Sequence, residues 1–255
     1  MVQSGTETET PMKRTLISML LPAGMAGMPL FILGCDNAKQ QTRTDQSLRL
    51  QVTPAHPVPA TNGIAFAVVM DCSASMNEGV SDGRKIDIAR EASHKIVRQA
   101  EMFSKAKDTP VKLAVYKFSD VPERVWPANE SFDTPDAAQA VAAINRIKGG
   151  GGTAIGDAVI AATKDMNASG FTSVHILVVT DGQNTDGMSP DAVASEFAKL
   201  PQQYRPNVYV VAFDVNATVF DGVKANGWRV LSASNGKELA TTLDSLVGGE
   251  ILLEQ

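Results

Sequence analysis

Ile64-Ala65-Phe66-Ala67-Val68-Val69-Met70-Asp71-Cys72-Ser73-Ala74-Ser75 is the stretch on which the reading of this chain turns. From Ile64 to Met70 every side chain is apolar. An unbroken apolar run of that length reads as a strand buried on both faces, the kind found in parallel sheets. It ends on a charge, Asp71, and two serines follow at alternate positions. In extended backbone, alternate residues share a side, so Asp71, Ser73 and Ser75 would point one way.

Downstream, strand and helix patterns alternate. Ile86 to Phe103 has apolar Ile86, Ala89, Ile96, Ala100 and Phe103 near one helical face. Val111 to Phe118 reads as a strand, and Val121 to Trp126, interrupted by Pro122, as a short edge strand. Thr134-Pro135 would open a helix to about Ile147, with Thr134 as cap and Pro135 in the first turn. Ala154 to Met166 is a further helix, and Val174 to Thr180 a second strongly apolar strand. Ser189-Pro190 opens a helix to about Leu200, and Val208 to Phe213 is a strand. A short strand at Arg229 to Ser232 and a helix from about Lys237 to Val247 complete the pattern. The alternation predicts an α/β fold: a doubly wound, mostly parallel central sheet, helices on both faces, and one short antiparallel edge strand.

Parallel sheets carry their ligand sites at the C-terminal ends of the strands. Two of the apolar strands end in aspartate, at Met70-Asp71 and Thr180-Asp181. Between them lies Gly149-Gly150-Gly151-Gly152-Thr153, just before a helix. Glycines permit backbone angles closed to other residues and a close approach to a bound group. All the polar side chains in these three pieces offer oxygen, which suits a hard cation such as Mg2+. Two carboxylates and three hydroxyls do not saturate magnesium. An acidic group from outside would complete its coordination.

These pieces resemble the metal-ion-dependent adhesion site of von Willebrand factor type A domains. The resemblance rests on Asp71-x-Ser73-x-Ser75, Thr153 and Asp181-Gly182, in the family's order, and covers about residues 62 to 247. It implies a Rossmann-like fold for a domain at 62–250. It also implies that Ser73, Ser75 and Thr153 contact a metal through their hydroxyls, with Asp71 and Asp181 as charged anchors. The implied metal is Mg2+, with Mn2+ or Ca2+ as alternatives. The implied partner is a protein offering Asp or Glu. Two departures are visible: Ala74 stands where the family commonly has Gly, and Asn77-Glu78 lengthens the stretch before Gly79.

Upstream, Leu16 to Leu33 carries no charge, follows Lys13-Arg14 and precedes Gly34-Cys35. That is the layout of a secretory signal peptide. Ile32-Leu33-Gly34-Cys35 resembles the lipobox of bacterial lipoproteins. The resemblance implies cleavage before Cys35, a lipid on that residue, and an envelope location facing the periplasm or the exterior. Met12 is an alternative start. Residues 36–61 are polar, carry Pro54, Pro57 and Pro59, and read as a flexible tether.

Other chemistries find little support. The net charge is −5 with no block of Lys and Arg, which argues against sequence-independent nucleic-acid binding. No Lys follows the glycine run, so it is not a phosphate loop of the P-loop type. His56, His94 and His175 are scattered and form no nucleophile–His–acid set. His175 reads as a packed core residue, as do Cys72, Trp126 and Trp228. Arg84, Lys85, Arg90, Lys95 and Arg98 read as a solvated helix face, Ser119 and Asp120 as surface loop, and Asp157 as a first-turn acid. A metal-dependent phosphohydrolase of the haloacid dehalogenase type would want a second acid where this chain has Ser73. The expectation is therefore a binding module rather than an enzyme, with a structural accessory lacking a working metal site as the alternative.

Overall fold

A computed structural model describes residues 51–54, 60–107, 109–128 and 135–253. Cys35, the apolar leader and most of the tether lie outside the described residues, as does Thr134. No described helix is long and apolar enough to cross a membrane.

The core of the domain is a six-stranded sheet. Its strands are β1 (Thr61–Asp71), β4 (Val111–Phe118), β5 (Pro122–Trp126), β6 (Phe171–Thr180), β7 (Asn207–Phe213) and β8 (Arg229–Ala233). They lie in the order β5-β4-β1-β6-β7-β8, and only β5 runs antiparallel to its neighbour. The chain steps from β1 to β4 on one side and later returns to β6 on the other. The β1–β6 seam is thus where the winding reverses, and the carboxyl ends of strands at such a seam are where open α/β sheets place their ligand sites.

The two faces of β1 differ in size. Ile64, Phe66, Val68 and Met70 enter one core; Ala65, Ala67 and Val69 enter the other. The first core is closed by α1 (Lys85–Ala106), α2 (Ala137–Ile144) and α6 (Gly236–Gly249). The second is closed by α3 (Ile155–Ala168), α4 (Pro190–Ala198) and α5 (Asp221–Ala225). Small side chains on β1 let α3 lie close, and α3 answers with Ala158 and Ala162. His175, Cys72, Trp126 and Trp228 are all buried, as expected of packing residues. His175 hydrogen-bonds Ser173 Oγ at 2.9 Å and stacks on Tyr209.

The structure departs from expectation in four places. Asp136 caps α2, accepting from Gln139 N at 3.0 Å, so the helix begins after Pro135 rather than on it. Residues 79–84 form a two-stranded hairpin, β2 (Gly79–Val80) and β3 (Gly83–Arg84), too short to show a period. Ile251 and Leu252, beyond the expected domain end, are buried in the first core. Finally, Gln51–Pro54 is not free chain. Val52 is fully buried in the second core, and its carbonyl accepts from Asn167 Nδ2 at 3.0 Å. The same amide nitrogen donates to Tyr204 O at 3.0 Å. One apolar residue in a polar stretch offers no periodicity, so the docking was invisible until the domain was folded.

Candidate metal centre

Asp71 and Asp181 terminate or directly follow neighbouring strands β1 and β6, so the sheet itself sets their separation. Asp71 is wholly buried. Its carboxylate accepts from Ser73 N at 2.7 Å and from Thr180 Oγ1 at 2.6 Å. Burial pushes the Asp71 carboxyl up to about 6, and those hydrogen bonds offset only part of the rise.

After Asp71 the chain turns into a short 3-10 segment, Ala74–Asn77. That turn folds Ser73 and Ser75 back on each other, with their Oγ atoms 3.0 Å apart. Ser75 Oγ then donates to Asp181 Oδ1 at 2.8 Å. Asp71, Ser73, Ser75 and Asp181 are thus joined in one hydrogen-bonded run, the first link through the Ser73 backbone N–H and the others between side-chain oxygens. The glycine loop is clamped against it by reciprocal backbone bonds, Gly150 N to Cys72 O (2.7 Å) and Ala74 N to Gly151 O (3.0 Å). Gly151 has φ 85°, a left-handed conformation glycine adopts without strain. Thr153, which is buried, follows this clamp, and its N–H is held by Thr185 Oγ1 at 2.9 Å and Asp186 Oδ2 at 3.3 Å. The structure therefore brings Asp71, Ser73, Ser75 and Asp181 together at one end of the sheet, and Thr153 follows two residues after the loop clamped beside them.

The donor set suits a small hard cation. Two oxygens bound side by side on six-coordinate Mg2+ at about 2.1 Å stand about 3.0 Å apart; on Ca2+ the gap is about 3.4 Å. The 3.0 and 2.8 Å separations seen here are hydrogen bonds between these oxygens, which already stand close enough together to share one ion. Among the described residues no cluster of three or more His, Cys, Asp or Glu could hold a metal; the side-chain oxygens gathered here are two carboxylates and the hydroxyls beside them.

Several residues escaped the sequence reading. Lys85, expected on a solvated face, is only 5% exposed. It is the first residue of α1, and its Nζ lies 3.0 Å from Asp181 Oδ2, 3.0 Å from Asp214 Oδ2 and 3.4 Å from Glu78 Oε2. Burial works to lower its pKa, but the hydrogen bonds and charges of Asp181 and Asp214 outweigh it and hold it above the ordinary lysine value. Asp214 follows β7 with a left-handed backbone, φ 54°. Asp120, expected as plain surface, accepts from Gly152 N at 2.7 Å and so holds the glycine loop. Asp157 is in the first turn of α3 as expected and also accepts from Met188 N at 3.0 Å, fixing the loop after β6.

This sheet order, with oxygen donors at the ends of β1 and β6, fits the model of the von Willebrand factor type A domain, which matches residues 66–245. The chain belongs to that family. No curated protein matches it. Among solved structures, it resembles the PilB minor pilin from Streptococcus sanguinis at 15% identity and a TM-score of 0.60, covering 77% of this chain and 63% of that one. It resembles the von Willebrand factor domain of the type V pili tip protein Mfa5 from Porphyromonas gingivalis at 13% identity and 0.58, covering 76% and 96%. It also resembles proximal thread matrix protein 1 from the mussel byssus, with a zinc-occupied adhesion motif, at 17% and 0.53, covering 74% and 48%. This chain therefore spans less than two thirds of the PilB and byssus chains. At these identities the likeness is one of fold. These three neighbours are a minor pilin, a pili tip protein and a byssus matrix protein.

Proposed function

We propose that the domain is a metal-dependent protein-binding module. Mg2+ is held by Asp71, Ser73, Ser75, Thr153 and Asp181, and an Asp or Glu side chain of a partner protein completes its shell. The observation that carries this reading is the hydrogen-bonded run that brings the side-chain oxygens of Asp71, Ser73, Ser75 and Asp181 together at one end of the sheet. The bound metal would supply an electrophilic centre with coordination left over for an outside oxygen. The chain's own residues set its position. Thr180 orients Asp71, Asp120 and the Asp186–Thr185 pair fix the loop that carries Thr153, and Lys85 fixes Asp181.

The pilin, pilus-tip and zinc-occupied byssus relatives lend the reading support at the level of the family. We further propose that Cys35 is lipidated and that the domain works in a bacterial cell envelope, the leader and lipobox being the grounds. Calorimetric titration of the purified protein with Mg2+ tests the site, with Mn2+ and Ca2+ as comparisons. A Mg2+-dependent pull-down from envelope extract tests the grip, with Asp181→Ala and EDTA as controls. Capture that survives both treatments would sink the proposal.

One observation favours a second reading, a scaffold with no working metal site. Lys85 already places a positive charge on Asp181. Absence of any Mg2+-induced rise in melting temperature would favour it, since a ligand of the native state stabilises by mass action.

A further inference from the structure

Lys85 is held where it is by covalent and backbone geometry. It is the first residue of α1, and its own N–H bonds Glu78 O at 3.0 Å. Its buried side chain ends between Asp181 and Asp214, 3.0 Å from a carboxylate oxygen of each. Of its three carboxylate neighbours, only Asp181 is shielded from water. The Asp214 and Glu78 side chains are 41% and 69% exposed, so solvent screens their share of the charge. The buried heart of the site therefore consists of two carboxylates, Asp71 and Asp181, and one ammonium. Asp181 divides its oxygens, Oδ1 facing Ser75 and Oδ2 facing Lys85.

We propose that Lys85 is a resident cation that shares Asp181 with the metal, weakening metal binding while making the metal-loaded site demand an anionic ligand. The inference rests on the metal-binding reading above. Without Lys85, a divalent ion would be neutralised by Asp71 and Asp181, and a neutral hydroxyl or amide from a partner would serve almost as well as a carboxylate. With Lys85, the loaded centre keeps one net positive charge in a poorly hydrated place, where charge interactions are strong. Only an anion cancels it. Lys85 thus acts on specificity: it trades affinity for the ion against affinity for an acidic side chain. It is a positioning and charge-setting residue, and it touches neither metal nor partner.

The two consequences have opposite signs, which separates them from a structural role. Lys85→Met and Lys85→Gln remove the charge; Lys85→Arg keeps it. Each full-length variant is titrated with Mn2+ by calorimetry, with circular dichroism as the check on folding. The Mn2+-loaded forms are then titrated with acetate, whose displacement of bound water is read by water-proton relaxation. Lys85→Met and Lys85→Gln should bind Mn2+ about tenfold tighter or more, and acetate correspondingly more weakly, while Lys85→Arg stays near wild type. Parallel loss of both affinities marks a structural role and overturns the proposal. Wild-type Mn2+ binding with no gain in the charge-removing variants overturns this inference alone and leaves the metal site standing. No binding by any variant overturns both. Binding by the charge-removing variants only would overturn the proposal, since Lys85 would then hold the metal out and leave no loaded wild-type site to demand an anion.

Discussion

Thr180 donates its hydroxyl to the carboxylate of Asp71 over 2.6 Å, at the ends of two adjacent parallel strands where both residues are fully buried. This bond aims the carboxylate but does not neutralise it, and the cost of burial dominates. An unfolded aspartate titrates near 3.8 and folded Asp71 near 6. The stability that Asp71 contributes is therefore present below about 3.8 and is lost as pH rises through about 6.

Asp71→Asn should accordingly stabilise the metal-free protein at pH 7, by about 1–3 kcal/mol. The same variant should show no Mg2+-induced rise in melting temperature, whereas wild type should. Urea denaturation with and without EDTA measures both. A metal-free variant no more stable than wild type would contradict the assignment of burial as the dominant effect.

His175 titrates in the opposite sense. Burial pushes it down to about 4 from 6.5. Its contribution is present above about 6.5 and is lost as pH falls through about 4, because the unfolded chain takes up the proton first. The full swing is on the order of 3 kcal/mol. Between pH 7 and pH 4.5, His175→Gln should lose less stability than wild type, measured by urea midpoints at the two pH values. Asp71→Asn should lose more, since it removes the group that gains over that range.

Gly152→Ala places a methyl group against Asp186, which holds the N–H of Thr153. Moving Asp186 aside loosens the segment that presents the Thr153 hydroxyl. Mg2+ affinity should fall several-fold with little change in melting temperature of the metal-free protein, and Asp186→Ala should do the same. Calorimetry on both variants checks it; loss in one and not the other would separate the collision from the contact.

Asn167→Ala leaves the carbonyls of Val52 and Tyr204 without their donor, at a cost of about 1–3 kcal/mol. Val52→Asp should undock residues 51–54. Limited proteolysis should then cut between residues 50 and 60 faster than in wild type. Mg2+ affinity should stay unchanged in both variants, because this end of the sheet lies about 30 Å from the site along β1, at about 3.3 Å per residue.

The fold was legible because β1 and β6 are buried on both faces over Ile64–Met70 and Ile176–Val179, where no polar residue interrupts the apolar run. The five candidate ligands were legible because their residue types and spacing are set by local backbone: a strand end, a turn, a glycine run. Lys85 was not, since a long side chain on the first turn of a helix looks the same in sequence whether it meets solvent or folds inward. Only the packing of α1 beside the ends of β6 and β7 decides. Asp214 was hidden for a related reason: its left-handed backbone is imposed by the loop after β7, and nothing in Phe213-Asp214-Val215 announces it. The helix cap at Asp136 was misplaced onto Thr134 because both residue types cap well and they stand two positions apart.

The docking of Val52 has a mechanical consequence. The chain enters β1 at the end of the sheet where Val52 and Asn167 meet, and Asp71 lies at the other end of that same strand. A pull between the upstream chain and a gripped partner would run straight down β1. Parallel ladders to β4 and β6 flank it on either side, so tension would load all their hydrogen bonds together in shear instead of unzipping them one at a time. A domain strung this way resists traction along the axis of β1.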